Sequence, residues 1–210
     1  MRTAHHLKAC LALPVIAGLL LSGCGSDDEP ASNGSATSSA TSSASAEQGV
    51  SFNDADVDFA SAMIPHHAQA IEMADLALTK ATSAQVKNLA EKVKAAQAPE
   101  IQTLSDLLSS WNQPVPSTEG SSSMEGMDHG ESDSTMMTSE QMDDLKDAGA
   151  AEYDRMWVDL MIQHHEGAIA MGKTEVADGT HEQATQLART VIEAQTTELA
   201  QLKSLAAELA

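Results

Sequence analysis

Two stretches of the chain carry the same set of donor atoms. Residues 63–73 and 161–171 both read Met-Ile-x-His-His-x-x-Ala-Ile-x-Met. Imidazole is a nitrogen ligand and a hydrogen-bonding group that titrates near neutral pH. Thioether is a soft ligand, and methionine is also a flexible core filler. On a helix, Met63, His66, His67, Ala70 and Met73 all fall on one side, within an arc of about 120°. Ile64 and Ile71 lie together on the adjoining flank. Met161, His164, His165, Ala168 and Met171 repeat the pattern. One helix face therefore presents two imidazoles bracketed by two thioethers, and it does so twice. Small Ala70 and Ala168 leave room for close helix approach or for an ion.

Soft thioethers beside imidazoles suit copper, and Cu(I) above the others. Zinc more often recruits Cys or carboxylate, and calcium and magnesium want oxygen. Met124, Met127, His129, Met136 and Met137 add donors in a Ser/Gly/Asp-rich stretch where no core needs filling. They predict a second, weaker copper site. Within each His-His pair one ring can ligate while a carboxylate orients a ring; Asp56, Glu100, Asp154 and Glu198 are the candidates. The plainer reading is that the Met residues fill a core and the His residues are hydrogen-bonded within it. Duplication would copy a structural motif as readily as a ligand set.

These faces must be held by helices. Residues 56–108 slide onto 154–206 without a gap, an offset of 98, with about 18 of 53 positions identical. Besides the motif, Leu89-Ala90 meets Leu187-Ala188, Val93 meets Val191, and Ala96-Gln97 meets Ala194-Gln195. Glu100, Leu104 and Leu107 meet Glu198, Leu202 and Leu205. One supersecondary unit occurs twice. In each unit apolar residues recur at helical spacing over two long segments. The spacing predicts helices over about 54–80, 83–110, 151–176 and 182–209, with Asn53 and Ser83 as N-caps and Gly179 as a stop. Thr138-Ser139-Glu140-Gln141 fits a capping box for a short lead-in helix. Pro65 and Pro99 fall inside predicted helices, where each costs about 3 kcal/mol or forces a kink. Two hairpins with one apolar stripe each most simply form an all-α four-helix bundle of the ferritin-like kind, built from tandem helical-hairpin repeats.

The 210 residues include 11 Lys+Arg against 31 Asp+Glu, a formal charge of −20, which repels nucleic acid. Aromatics make up 2%, too few for an ordinary β-sandwich or barrel. Arg2 and Lys8 precede an apolar run at 9–21 that is too short to span a membrane comfortably, followed by Leu21-Ser22-Gly23-Cys24. This resembles a bacterial lipobox. It predicts a signal peptide at 1–23, a lipid-modified Cys24 and a protein held at the outer face of the cell membrane, or in the periplasm or outer membrane where two membranes exist. The only other cysteine is Cys10, so no disulfide or Cys-based zinc site serves the folded part. Residues 24–50 are rich in Ser, Ala and Thr and read as a disordered tether. The first hairpin is expected over 51–111, a Met/His-containing flexible linker over 112–138 and the second hairpin over 139–210, with 51–210 forming one domain.

The run Asp154-Arg-Met-Trp157-Val-Asp-Leu-Met161-Ile-Gln-His164-His165-Glu-Gly-Ala168-Ile-Ala-Met171, with Leu187-Ala188…Gln195-x-x-Glu198, resembles the "domain of unknown function 305" family. The resemblance covers about 52–210. Asp56 and Phe59 stand where Asp154 and Trp157 stand in the second unit; the first unit departs from the pattern at Pro65. The resemblance implies an exported helical bundle with metal-linked His and Met, some members binding copper, and no settled enzyme activity. The expected function is an extracytoplasmic copper-binding lipoprotein that sequesters copper or hands it to a copper-handling protein. The alternatives are a metal-free envelope interaction or stress module and a ferritin-like di-metal redox enzyme. The last wants Glu-x-x-His pairs on facing helices, and residues 51–210 contain none.

Overall fold

The computed structural model describes residues 51–118 and 136–210, all within one unit spanning Ala46–Ala210. The expected signal peptide, Cys24, the tether and the donors Met124, Met127 and His129 lie outside the described residues. Five helices follow in order: α1 Asp54–Lys80, α2 Ala84–Ser110, α3 Ser139–Asp147, α4 Ala150–Asp178 and α5 Glu182–Glu208. The four long ones have 27, 27, 29 and 27 residues, or about 40 Å at 1.5 Å per residue. No helix among them is long and apolar enough to cross a membrane.

Local chemistry sets the boundaries. Asn53 opens α1 with a capping box: its side chain accepts from the Asp56 amide at 3.1 Å, and the Asp56 carboxylate accepts from the Asn53 amide at 2.7 Å. Ser83 caps α2, and Thr138 with Gln141 boxes α3. At the end of α2, Asn112 takes φ 55. Its amide donates to the Ser109 carbonyl and the Gln113 amide to Leu108. This is a Schellman stop, with Asn tolerating the left-handed position that usually needs Gly. The α5 cap is His181, whose Nδ1 accepts from the Ala184 amide at 3.2 Å.

α1 packs on α2, α4 on α5, and the hairpins meet mainly through α1 and α4. The apolar core falls into two clusters. One joins Met73, Ala74 and Ala77 of α1 to Val86, Leu89 and Ala90 of α2, Tyr153, Trp157 and Met161 of α4, and Leu202 and Leu205 of α5. The other joins Phe59, Ala60, Met63 and Ile64 to Leu104, Leu107 and Leu108, Ala168, and Ala184, Ala188 and Val191. The late half of α1 thus shares a cluster with the early half of α4, so these central helices run antiparallel and cross near their midpoints.

Pro65 and Pro99 do not end their helices; α1 and α2 are each assigned as one helix through them. Packing over 27 residues outweighs the missing amide bond. Pro65 is buried, but Pro99 is exposed and touches no core. Pro99→Ala is therefore expected to raise the unfolding free energy by up to about 3 kcal/mol. Urea unfolding checks this: an unchanged midpoint would show that the proline costs nothing here, and a lowered one that α2 depends on it.

Candidate metal centre

Between the apolar clusters lies a polar layer. The middle residues of the four long helices are His67, Gln97, His164 and Gln195, and His66 and His165 stand beside two of them. All six are buried: the histidines are 0% exposed, Gln97 1% and Gln195 2%. Antiparallel crossing of α1 and α4 brings His66 against His164, ring centroids 3.7 Å apart and planes tilted by 39°. These residues occupy the same place in the two repeats.

The flanking histidines are held from the second helix of their own hairpin. His67 Nε2 lies 2.8 Å from Glu100 Oε2, and His165 Nε2 lies 2.8 Å from Glu198 Oε2. A carboxylate partner favours the tautomer with the proton on Nε2 and leaves Nδ1 as the lone-pair nitrogen. Both Nδ1 atoms are buried without a hydrogen-bond partner. Burial, then the neighbouring imidazoles His66, His165 and His67, push the His164 pKa well below the ordinary histidine value. His164 is accordingly a neutral imidazole, the form that binds metal.

The thioethers sit above and below this layer. Met63, Met73 and Met161 are fully buried in the two clusters, and Met171 is half-buried beside the second. Among the described residues, no three His, Cys, Asp or Glu side chains converge as a ready-made ligand cage. An ion here would have to draw on sulfur or amide donors as well as imidazole. Met137 is not the free linker donor that its polar surroundings suggested. It is 7% exposed and packs with Met73, Met142 and Met161. The Gln69 side chain fixes its backbone in both directions, donating to the Met137 carbonyl at 2.8 Å and accepting from its amide at 2.7 Å.

Asp56 and Asp154 do not orient imidazoles, which corrects the role expected of them. Each reaches from the first helix of one hairpin into the loop of the other. Asp154 accepts from the Thr82 amide at 3.0 Å, the Ser83 amide at 2.8 Å and the Thr82 hydroxyl. Asp56 accepts from the Thr180 amide and hydroxyl, each at 3.2 Å, and from the His181 amide at 3.0 Å. The clasps are equivalent, but one has an extra member. Glu175 is buried against Asp56 and beneath Gly179, where a Cβ would lie 2.4 Å from Glu175 Oε1. Burial raises the Glu175 pKa to about 8, helped by the hydrogen bond to Asp56 and the charge of that carboxylate. Burial would raise Asp56 too, but hydrogen bonds from Asn53, His181, Glu175 and Thr180 outweigh it and hold Asp56 below the usual range. The pair thus shares one proton near neutrality.

A folded-state pKa raised above the unfolded value of about 4.5 gives stability that is complete at low pH and is lost as pH climbs to about 8. Stability should therefore decline between about pH 4.5 and 8, and Glu175→Gln should flatten that slope. Urea midpoints at pH 5, 7 and 9 test this; parallel profiles for wild type and variant would refute it. Sequence reasoning missed Glu175, Thr82, Thr180, Gln97 and Gln195. The last four were visible as identical positions of the repeat, whereas Glu175 faces Ala77 in the other copy.

This fold and polar layer define an all-α bundle of two tandem hairpins joined about a histidine midpoint. The chain belongs to the family described as Domain of unknown function (DUF305), whose profile matches residues 56–206. Among solved structures it is similar to a DUF305 fragment from Deinococcus radiodurans, at 22% identity and TM-score 0.65, covering 74% of this chain and 97% of that one. A candidate secreted DUF305 protein from Streptomyces coelicolor matches at 28% identity and TM-score 0.64, over 74% of this chain and 93% of that one. CopM in its Cu(II)-bound form matches at 29% identity and TM-score 0.62, over 74% of this chain and 97% of CopM. CopM also matches in Cu(I)-bound and Ag-bound forms. No curated protein sequence matches the chain significantly.

Proposed function

We propose that this protein is an exported, lipid-anchored copper binder that sequesters copper or hands it on, using His66, His67, His164 and His165 with Met63, Met73, Met161 and Met171. The observation that carries this reading is the buried imidazole layer. His164 is a neutral imidazole packed against His66 at the helix crossing, and His67 and His165 are each held by a carboxylate through Nε2 while Nδ1 stays buried without a hydrogen-bond partner. A buried polar atom without a partner costs about 1–3 kcal/mol, and several together at the middle of a core mark a place kept for something other than stability. The likeness to CopM in copper- and silver-bound forms supports the choice of soft monovalent and cupric ions. Met124, Met127 and His129 would add the weaker site, and Cys24 the lipid. The reading is of a binder rather than an enzyme, because no paired Glu-x-x-His motif supplies a redox di-metal site.

The complete burial of all four histidines favours a second reading, in which the layer is structural and binds nothing. Competition with a chelator under reducing conditions separates the two. The full chain should hold Cu(I) and Ag(I) at least tenfold more tightly than zinc, as mixed thioether and imidazole donors require. Equal affinities, or none, would leave the histidines as packing.

A further inference from the structure

We propose that Gln97 and Gln195 belong to the metal centre, as amide-oxygen donors that let it hold Cu(II) as well as Cu(I). The proposal rests on the copper-binding reading above and adds to it a pair of residues and an oxidation-state role. Four observations lead to it. Both glutamines are the middle residues of their helices, level with the histidine layer. Both are almost wholly buried, at 1% and 2% exposure. In each, neither the amide oxygen nor the amide nitrogen has a hydrogen-bond partner. Each stands three residues before the glutamate that holds a histidine, Glu100 or Glu198, and residues three apart share a helix face.

A core-filling role explains none of this. Leucine would fill a similar volume without burying four unsatisfied amide atoms, each costing about 1–3 kcal/mol. Surface glutamines retained by chance would not be buried at the same repeat position twice. The cost is understandable where a ligand uses the amide. The donor types then divide the work. Thioethers are soft and suit Cu(I), while Cu(II) prefers nitrogen and oxygen in a tetragonal set. Imidazole serves both. Among the described residues, the other buried side-chain oxygens near this level are already engaged: the Glu100 and Glu198 carboxylates with His67 and His165, and the Gln69 amide with the Met137 backbone.

The test is the double variant Gln97→Leu/Gln195→Leu in the full chain, read three ways. The metal-free variant should unfold at a higher temperature than wild type, because four unpaired polar atoms are gone. Its Cu(II) affinity should fall roughly ten- to hundredfold, while Cu(I) affinity changes no more than about threefold. The electron paramagnetic resonance spectrum of the Cu(II) form should shift on loss of an oxygen donor. A higher melting temperature with unchanged Cu(II) affinity and spectrum would overturn the proposal while leaving copper binding intact. So would equal losses for both oxidation states. Wild type that binds neither ion would overturn both this proposal and the function on which it rests. The single variants Gln97→Leu and Gln195→Leu carry the same readouts, each with a smaller loss, if the double variant does not fold.

Discussion

Asp154→Ala should lower the unfolding free energy by about 3–5 kcal/mol, a large share of the roughly 5–15 kcal/mol typical of a domain. The carboxylate is 6% exposed and receives two backbone amides and a hydroxyl from Thr82 and Ser83. Hydrogen bonds to a charged acceptor contribute about 1.5–3 kcal/mol each, and they are not additive. Alanine would also leave the Thr82 and Ser83 amides turned toward an apolar methyl. The loop they belong to starts α2, so its loosening frays the helix that carries Glu100. Asp56→Ala should cost less, because Glu175 sits beside it and becomes free to ionise or turn toward the vacated donors. Urea denaturation of both variants checks the order as well as the size. A loss under about 1 kcal/mol for Asp154→Ala would mean that the α1–α2 loop is held by its own packing.

Converting both His66 and His164 to Leu should weaken Cu(I) binding by about a hundredfold or more, which is about 2.7 kcal/mol, without unfolding the bundle. These rings meet at 3.7 Å where α1 and α4 cross, so both hairpins lose a donor at one point. Leucine has nearly the volume of imidazole, so the metal-free bundle should stay folded. Stability and affinity are read separately, which is what makes the pair of measurements informative. If the layer only packs, copper affinity stays where it was. If the variant loses stability and affinity together, the imidazoles hold the helices and the loss of affinity follows from that.

Most of the fold was legible because helical periodicity and the repeat agree. Asn53, Ser83 and Thr138 cap where their side chains predict, and α1, α2 and α5 begin and end within a residue of the expected positions. The parts that were not legible need information from a second helix. A wheel drawn for α4 alone puts Asp154 more than two turns from the histidines and cannot show the α1–α2 loop that comes to meet it. Gln97 and Gln195 were visible as a repeat identity, but helical periodicity counts apolar residues and does not mark a polar one at a buried position. Met137 was misread for the opposite reason. Its neighbours in sequence are polar, but the apolar surface that covers it comes from α1 and α4, and Gln69, which has only Gly167 as its counterpart in the second repeat, receives its backbone.

The crossed aspartate clasps also bear on how such a chain could arise. Asp56 holds the second hairpin's loop, Asp154 holds the first hairpin's loop, and equivalent histidines face each other at the middle. In each case residue i of one half meets residue j of the other, and j meets i. This is the signature of an isologous interface. A single hairpin carrying Asp, His-His and Thr at these places would carry both halves of each reciprocal contact, as a symmetric homodimer requires. Joining two copies end to end then adds no new contact; it replaces a bimolecular association with an intramolecular one at high effective concentration. Once the halves are joined, symmetry is no longer enforced, and each is free to diverge. Glu175, which faces Ala77, and Gln69, which faces Gly167, are differences of that kind, each present on one side only.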